Sequence, residues 1–289
     1  MTTYYLDVVG VTGVALFGAI LGFCFSRLRK PYWALGYVVP FAVIAAVAVS
    51  RRWPAISFIA PFSYIMAGRT EFVALSLACA AMLTTVLARL LYKRQRITVG
   101  VFMVVAVVYL SILPFLLPAL FRDKLSKLES NLDSDGVCLQ SNHYNCGPAS
   151  AVTALRRLEV RASEGEIAVH SYSNPISGTE PDSLCHAINE LYGRDGIFAE
   201  HRVFRSIPEL QYNDYAVVLV KHSLLVDHYA TVLDVTNDKV VLGDPLVGKR
   251  TLSHEEFEKI WRFSGIVMKR DSITDVENEA KSCSRGAVI

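Results

Sequence analysis

The sequence predicts two domains of different fold class: an all-α transmembrane domain of about four helices, then an α+β domain in which helices precede an antiparallel sheet. The first observation behind this prediction is that 52% of the 289 residues are hydrophobic, and that long uncharged runs occur only before residue 121. Runs of roughly 20 apolar residues are long enough to cross a bilayer. The second is that apolar residues after position 121 recur first at helical and then at strand spacing.

We therefore divide the chain into four parts: a multi-span transmembrane domain, a charged connector, a folded domain and a polar tail that we expect to be disordered. These parts cover residues 1–121, 122–137, 138–270 and 271–289. The net charge of +2 is too small to indicate a nucleic-acid-binding surface. The lipid bilayer is therefore the first partner that the sequence predicts.

Four uncharged runs are long enough to span a membrane and are separated by basic residues. They are Val8–Ser26, Pro31–Ser50, Phe72–Ala88 and Ile97–Leu120. A fifth stretch, Trp53–Gly68, is uncharged but short, and its two prolines would interrupt a helix. We interpret this stretch as an interfacial or re-entrant segment.

Basic residues in the short loops predict the orientation of the spans. The loops after the first and third spans carry six Lys and Arg residues, against three in the connection between the second and third spans. This count favours an extracytoplasmic N-terminus and soluble domain, whereas three further basic residues just past the last span offset the margin. The third run extends from Ala88 through Arg89 to Tyr92, which makes Arg89 the only strongly charged residue well inside a span, and the sequence indicates no intramembrane ion pair. We therefore interpret the membrane domain as an anchor rather than a transport pathway.

The folded domain is predicted to begin with three helices. Pro148 and Ala149 open the first, because proline is well placed in the first helical turn. The sequence Ser163-Glu-Gly-Glu166 has the form of a capping box and predicts a second, short helix. A third helix is predicted over Pro181–Tyr192, with an apolar stripe at helical spacing and an end at Gly193.

Segments rich in β-branched and aromatic residues follow the helices and are separated by turn residues. They predict strands over Ile197–Phe204, Tyr215–Lys221, His228–Val235, Lys239–Gly243 and Gly265–Met268. Asn237-Asp238 is typical of a tight hairpin turn, and Ser253 begins a second capping-box pattern that predicts a closing helix. Helices first and antiparallel strands afterwards define an α+β domain.

The six cysteines do not form an evident disulfide framework. Cys24 and Cys79 fall inside apolar runs and Cys283 lies in the polar tail, which leaves three cysteines for the folded domain. Cys138 and Cys185 could form a bridge if the domain faces an oxidising compartment. The histidines show no metal-ligand spacing, so we expect neither a metal nor another cofactor.

A cysteine at a predicted helix start is the residue that most strongly suggests chemistry. In Gln140-Ser-Asn-His-Tyr-Asn-Cys146-Gly-Pro-Ala, the thiol follows a glutamine by six residues. The N-terminus of a helix carries partial positive charge and unpaired N–H groups, which favour a thiolate. The Gln140 side chain could return beside the Cys146 N–H as a second donor where an oxyanion forms. This arrangement is the nucleophile half of a cysteine hydrolase.

A cysteine nucleophile needs a base, and the base needs a partner that fixes its tautomer. His228 opens one predicted strand and Asp244 ends the next, so the hairpin between these strands brings the two residues to one edge of the sheet. A helix packed across that edge would present Cys146 to His228, as in the papain-type arrangement of a helix-borne thiol and a strand-borne imidazole. His143 is the rival base, but it lies on the cysteine's own loop and has no evident carboxylate partner.

The segment Gly243–Arg250 imitates a phosphate-binding loop. It follows the pattern G-x-x-x-x-G-K-[ST] up to the last position, where Arg250 replaces the hydroxyl residue that binds magnesium. The remainder of the chain is also too short for a nucleotide-binding domain. We interpret the segment as a β-turn and expect no nucleotide partner.

Four motifs occur in the order Gln140, Asn145-Cys146-Gly147-Pro148-Ala149, His228-Tyr229 and Asp244-Pro245. In this order they resemble the motifs of the bacteriocin-processing peptidases, cysteine peptidase family 39, over about residues 138–268. The resemblance implies a papain-like fold and cleavage of leader peptides after a Gly-Gly pair. It also implies the roles of nucleophile for Cys146, base for His228, orienting residue for Asp244 and oxyanion-hole donor for Gln140. The chain differs from the family in two respects: Asn145 stands where many members have Asp, and no ATPase follows the domain.

The sequence therefore predicts a membrane-anchored cysteine endopeptidase that cleaves a peptide or a leader-bearing precursor. The expected location is the bacterial inner membrane, as a multi-pass protein, and a separate export machinery could be a partner. Two other functions remain open. One is a non-hydrolytic peptide-binding or regulatory module, and the other is an acyl transferase or amidohydrolase that uses the same thiol.

Overall fold

The computed structural model describes residues 2–53, 70–211, 215–223 and 226–270, together with residues 56, 59 and 62. Most of the predicted re-entrant stretch Trp53–Gly68, and the whole predicted tail, lie outside the described residues. The chain divides into two compact units. They are Met1–Asp123 with Asn174–Ser177, and Lys124–Ser173 with Gly178–Ile289.

Three helices of the first unit are long and apolar enough to cross a membrane by length and composition. Helix α1 spans Thr2–Arg27, α2 spans Leu35–Arg52 and α3 spans Thr70–Arg89. Helices α1 and α3 contain the first and third predicted runs, whereas α2 begins at Leu35, four residues into the second run, after a 3-10 turn over Tyr32–Ala34. Each of the three helices ends at an arginine. The helical character of these three runs is therefore confirmed.

The fourth predicted run is not one uninterrupted α-helix, which corrects the expectation of four equivalent spans. It is divided into α4, Lys93–Val107, a π-helical turn, Val108–Ile112, and α5, Leu113–Leu125. Pro114 lacks the N–H that would bond to the carbonyl four residues earlier, and its ring would collide with that carbonyl. A π-helical turn immediately before such a residue relieves the collision. The interruption thus follows from the prolines that the run contains.

Small residues allow α1 and α3 to pack closely. A Cβ atom on Gly18 would lie 2.6 Å from the carbonyl oxygen of Leu77, and one on Gly22 would lie even closer to that of Ala81. Glycines four residues apart on an apolar helix are a recurrent packing motif in membranes. The Thr85 hydroxyl adds a 3.1 Å hydrogen bond to the carbonyl of Gly22. Any side chain at these two glycines would separate the helices.

An ion pair that the sequence did not indicate connects the end of α2 to the start of α3. The Arg51 guanidinium donates through Nε to Glu71 Oε2 at 3.1 Å and through Nη2 to Glu71 Oε1. Glu71 is buried. Removing Arg51 would take this partner from the buried Glu71 carboxylate, which is costly, so the pair holds the two helix ends together. Its position at helix ends is compatible with an anchor.

The described part of the second unit contains five α-helices and eight strands. Its helices are α6 Cys146–Arg157, α7 Glu164–His170, α8 Pro181–Tyr192, α9 Pro208–Gln211 and α10 His254–Ile260. Its strands are β1 Asn131–Leu132, β2 Cys138–Leu139, β3 Ile197–Val203, β4 Tyr215–Lys221, β5 Asp227–Val235, β6 Lys239–Asp244, β7 Gly248–Ser253 and β8 Trp261–Arg270. The predicted helices and strands are all present, with boundaries that differ by a few residues.

Strands β3 to β8 form one antiparallel sheet in the order β3-β8-β4-β5-β6-β7. Helices α6, α7 and α8 pack on one face of this sheet through a core that includes Leu155, Ile167 and Leu184. The other face is covered by α9 and α10, with Trp261 and Phe257 at its centre. The predicted α+β class, with helices first and an antiparallel sheet afterwards, is therefore confirmed.

Strand β7 and the β1–β2 hairpin were not predicted. Strand β7 lies at the sheet edge, and three of its six residues, Lys249 to Thr251, are exposed. An exposed edge strand needs little apolar sequence, so it lacks the alternation by which strands are recognised. The short turn before β7 contains Pro245 to Val247, and the Val247 N–H donates to the Asp244 carbonyl at 3.2 Å. The phosphate-loop look-alike is thus a hairpin turn.

Candidate active site

Cys146 is the first residue of α6, at the end of the helix that carries partial positive charge. The two residues after it make this position feasible. A Cβ on Gly147 would lie 3.2 Å from both Leu184 Cδ2 and Thr179 Cβ, so a side chain there would push the helix away from its neighbours. Pro148 lies in the first turn, where its missing N–H has no partner to lose. The motif Cys-Gly-Pro therefore places a partly exposed thiol on a tightly packed helix start.

Helix α6 is attached to strand β5 one turn after the cysteine. The Thr231 hydroxyl donates a buried 2.7 Å hydrogen bond to the Ser150 carbonyl. Thr231 lies three residues after His228 on the same strand. This bond and the packing of Tyr229 against Gly147 align the start of α6 with the start of β5.

His228 and Asp244 form a buried pair. The distance between His228 Nε2 and Asp244 Oδ1 is 2.8 Å, and the two residues are 6% and 7% exposed. Adjacent strands bring them together, since Thr231 on β5 pairs with Gly243 on β6. The Cys146 side chain also interacts with the imidazole and raises its pKa. Because Nε2 is engaged by the carboxylate, Nδ1 is the nitrogen left for this interaction.

The surroundings of His228 favour its protonated form. Burial alone would lower the pKa of the imidazole, but hydrogen bonds to Asp244 and to Cys146 raise the pKa to about 9. Burial would raise the pKa of Asp244, whereas its hydrogen bonds with His228 and with the Leu246 N–H hold that pKa below its usual value. At neutral pH this arrangement supports an imidazolium at His228, held by the Asp244 carboxylate.

Gln140 lies beside the Asp244–Pro245 turn. Its backbone N–H donates to the Pro245 carbonyl at 2.9 Å, and its side-chain Nε2 donates to the Asn142 carbonyl at 2.9 Å. A primary amide carries two hydrogens on nitrogen, so one N–H of Gln140 is left after this bond. The glutamine is thus held in place with one donor available.

The loop between Gln140 and Cys146 contains several buried polar atoms without a hydrogen-bond partner among the described residues. They are Gln140 Oε1, Asn142 Nδ2, Tyr144 Oη and Asn145 Oδ1. Buried polar groups are normally paired. A buried polar group that lacks a partner often belongs to a functional site. The concentration of such atoms in one loop is typical of a site that a ligand completes.

The rival base His143 is placed differently from His228. Its side chain is exposed, and its ring lies edge-on to Tyr144 with centroids 5.1 Å apart. The carboxylate partner and the contact with the thiol both belong to His228 instead. The structure therefore favours His228 over His143 as the base.

A second Ser-His-Asp arrangement was not recognised in the sequence. His201 Nδ1 lies 2.9 Å from Asp182 Oδ1, and His201 Nε2 lies 2.9 Å from Ser264 Oγ. Ser264 is only 1% exposed, on a central strand, so a substrate carbonyl has no access to its oxygen. We interpret this group as a structural connection between α8, β3 and β8.

The other two cysteines in the described part of this unit, Cys138 and Cys185, are buried free thiols. Cys138 and Cys185 do not form the bridge that the sequence left open. Burial raises the pKa of Cys138 to about 12, with a further contribution from Glu164. Burial and nearby carboxylates also raise the pKa of Cys185. Within the described part of this unit, the cysteine in contact with an imidazole is Cys146.

Comparison with known proteins gives a family and several relatives. Residues 135–272 match the family model described as the Peptidase C39 family. An uncharacterised protein of Methanothermobacter marburgensis is 28% identical over 144 residues, which cover 50% of this chain and 95% of the relative. A second one, from Methanothermobacter thermautotrophicus, is 27% identical over 143 residues, which cover 50% of this chain and 94% of the relative.

Solved structures with similarity include the peptidase domain of Streptococcus ComA, a bi-functional ABC transporter of a quorum-sensing pathway. It has 22% identity and a TM-score of 0.41, over 46% of this chain and 96% of that domain. Another is a double glycine motif protease from an AMS/PCAT transporter in complex with the leader peptide. It has 14% identity and a TM-score of 0.38, over 50% of this chain and 96% of that protein. On the family-model match, residues 135–272 of this chain belong to the Peptidase C39 family.

Proposed function

We propose that this chain is a membrane-anchored cysteine peptidase that hydrolyses a peptide bond in a leader-bearing or other peptide precursor. The observation that carries the proposal is the buried His228–Asp244 pair, 2.8 Å apart, whose imidazole interacts with the Cys146 side chain at the start of α6. A thiolate, an imidazolium and an orienting carboxylate are the groups that thiol-dependent acyl transfer requires.

In the first half of the reaction, the Cys146 thiolate attacks the carbonyl carbon of the scissile bond and forms a carbon–sulfur bond. The Cys146 backbone N–H and the remaining N–H of the Gln140 amide stabilise the oxyanion. When the carbon–nitrogen bond breaks, His228 Nδ1 donates its proton to the leaving amine. The products of this half are a thioester on Cys146 and a free amine.

In the second half, His228 takes a proton from a water molecule as that water attacks the thioester. The carbon–sulfur bond breaks, and the carboxylic acid product and the thiolate are released. Asp244 accepts a hydrogen bond from the Nε2–H of His228. This bond fixes the ring, so that Nδ1 stays directed at the Cys146 sulfur throughout the reaction.

The substrate class and the location follow from the motifs and the helices. The resemblance of Gln140, Cys146, His228 and Asp244 to bacteriocin-processing peptidases supports a peptide that carries a double-glycine leader. The three apolar helices support a membrane location, where a precursor would be met during export. We assign the multi-pass chain to a bacterial inner membrane with an extracytoplasmic peptidase domain, and a separate exporter would supply the substrate.

Cleavage of a synthetic leader peptide tests this proposal. The full chain in detergent is incubated with a peptide whose leader ends in Gly-Gly, and the products are identified by mass spectrometry. We expect two fragments whose masses sum to that of the intact peptide plus one water. The Cys146→Ala variant should give no fragments. Cys24→Ala, at an exposed position of α1, is the matched control and should leave cleavage unchanged. Cleavage by Cys146→Ala would disprove the proposal.

The same experiment separates the two alternative functions. A peptide that binds but stays intact with the wild-type chain would indicate a binding module. A fragment joined to an added amine such as hydroxylamine, in place of the hydrolysed fragment, would indicate an acyl transferase.

A further inference from the structure

A buried carboxylate lies next to the candidate site. Glu164 is 0% exposed although it is the first residue of α7. In the described part of the chain, it forms no salt bridge with a Lys, Arg or His. Burying an ionisable group without an opposite charge is expensive, so its hydrogen bonds must hold it there.

The hydrogen bonds of Glu164 go to both ends of the loop that joins Gln140 to Cys146. Glu164 Oε1 accepts from the Ser141 N–H at 2.9 Å, and Oε2 accepts from the Ser141 hydroxyl at 2.8 Å. Glu164 Oε1 also accepts from Asn145 Nδ2 at 3.2 Å. All three bonds are donated to the carboxylate. Burial raises the pKa of Glu164, and these hydrogen bonds from Ser141 and Asn145 act in the opposite direction by favouring the charged form.

The backbone of Glu164 is held as firmly as its side chain. Its N–H donates to the Ser130 hydroxyl at 2.9 Å, and Ser163 caps the helix that it begins. The next residue is Gly165, where a Cβ would lie only 2.5 Å from the carbonyl oxygen of Leu125. The carboxylate is therefore presented to the loop from a rigid support.

The two residues that Glu164 holds are the neighbours of the two oxyanion donors. Ser141 follows Gln140, whose amide supplies one donor, and Asn145 precedes Cys146, whose backbone N–H supplies the other. We propose that Glu164 is a positioning residue that sets the geometry of the oxyanion hole by holding Ser141 and Asn145 at once. This inference rests on the proposed function, because it assigns the loop to the same reaction.

The charge of Glu164 explains why position 145 carries an amide. An aspartate at this position would set a second carboxylate about 3.2 Å from Glu164 Oε1, at the distance that Asn145 Nδ2 now occupies. Two carboxylates at this separation repel each other unless they share a proton. Exchanging the two groups would restore the pairing with position 145, because an amide nitrogen in place of Oε1 could donate to a carboxylate there while the amide oxygen accepts from the Ser141 hydroxyl. The Ser141 N–H would lose its acceptor, since it shares Oε1 with Asn145.

This exchange is the test, and it uses the full chain in detergent with two probes of the thiol. Iodoacetamide alkylates Cys146 without forming an oxyanion, and the modified peptide is quantified by mass spectrometry because other cysteines also react. A peptide aldehyde ending in Gly-glycinal adds the thiol across its carbonyl, and the oxygen formed there occupies the oxyanion hole. Cleavage of the leader peptide gives kcat and KM, and a thermal melt of each variant reports folding.

We expect Glu164→Ala and Asn145→Asp to weaken aldehyde binding and lower kcat by roughly 10- to 100-fold, below the loss for deleting a whole oxyanion donor. The rate at which Cys146 is alkylated should stay within about twofold of the wild type, and so should KM. Neither quantity depends on the oxyanion hole. Glu164→Gln should lose little aldehyde binding and little kcat. The double variant Asn145→Asp with Glu164→Gln should bind the aldehyde and turn over roughly 3- to 10-fold better than Asn145→Asp, since the donor and acceptor at position 145 are exchanged while the Ser141 N–H has lost its acceptor.

Two results would overturn the proposal. One is unchanged aldehyde binding by Glu164→Ala; the other is a double variant no better than Asn145→Asp although it melts like the wild type. If Glu164→Ala fails to fold, the comparison of the double variant with Asn145→Asp still tests the proposal. A wild-type chain that cleaves no peptide but shows the expected aldehyde pattern would refute only the proposed function. A wild-type chain that binds no aldehyde would refute both.

Discussion

The hydroxyl of Thr231 donates a 2.7 Å hydrogen bond to the carbonyl of Ser150 in the interior of the domain. This bond joins strand β5 to helix α6, which are distant in sequence. His228 lies three residues before Thr231, and Cys146 lies four residues before Ser150. The bond therefore sets how far along the strand the helix sits, and with it the distance between thiol and imidazole.

Replacing Thr231 with Val should lower both stability and activity. The change removes the donor and leaves the strand side of the contact apolar, so we expect a loss of about 1–3 kcal/mol in the free energy of unfolding. We expect kcat to fall more than KM rises, because the thiol and the imidazole lose their alignment. Thr251→Val, on the exposed part of β7, is the matched control and should change stability by less than about 0.5 kcal/mol. Equal effects of the two changes on kcat would contradict this role.

The activity should fall on the alkaline side as His228 loses its proton. The pKa of the imidazole is raised to about 9, so the proton needed by the leaving amine is present below that pH and is lost above it. Asp244→Asn removes the negative charge that favours the imidazolium, and the alkaline limb of kcat/KM should therefore move to lower pH. We also expect a decrease in kcat on the order of 100-fold. The measurement is the pH profile of leader-peptide cleavage, with the exposed Asp234→Asn variant as control. An alkaline limb that did not move in Asp244→Asn would argue against the pairing.

Gly147→Ala should destabilise the start of α6. Its Cβ would lie 3.2 Å from Leu184 Cδ2 and Thr179 Cβ, and overpacking of this kind costs about 1–3 kcal/mol. Gly193→Ala is the matched control, because a Cβ there meets nothing within 4 Å and the residue has a φ of −60°. Thermal melting of the two variants checks this prediction. A larger loss for Gly193→Ala would show that the packing around Gly147 can adjust.

Gly22→Ala should weaken the helix packing of the membrane unit. A Cβ at this position would collide with the Ala81 carbonyl oxygen, so α1 would have to move away from α3. Gly13→Ala on the same helix meets nothing within 4 Å and serves as the control. We expect a lower melting temperature in detergent for Gly22→Ala and no change for Gly13→Ala. Indistinguishable melts would mean that the contact between α1 and α3 contributes little.

Most elements of the soluble domain could be predicted because local rules specify them. The Ser253 capping box is present in full, with the Ser253 hydroxyl accepting from the Glu256 N–H and Glu256 accepting from the Ser253 N–H. The strand β4 has the predicted bounds Tyr215–Lys221, because its β-branched residues are buried on both faces. Strand β7 was missed because an exposed edge strand does not need an apolar pattern.

The first unit has two features that could not be predicted from the hydrophobic composition of its segments. The run Ile97–Leu120 has the apolar length of a span, but a π-helical turn divides it before Pro114. The ion pair of Arg51 with Glu71 was missed because the two residues are 20 positions apart and lie at the ends of different helices. Hydropathy describes the average of a segment, whereas both features depend on single side chains and on contacts between segments.

The sequence by itself determined the candidate residues: a thiol at a helix start, a glutamine before it, and a histidine and an aspartate on neighbouring strands. These follow from local chemistry, since helix caps, turns and strand patterns are specified by residues close together in the chain. The tertiary structure decided which of them meet. In it the Asp244 carboxylate lies 2.8 Å from His228, and the Cys146 side chain raises the pKa of the same imidazole. It also revealed Glu164, whose partners Ser141 and Asn145 are 23 and 19 residues away. Contacts of this kind form only when the core closes, because no local pattern encodes them.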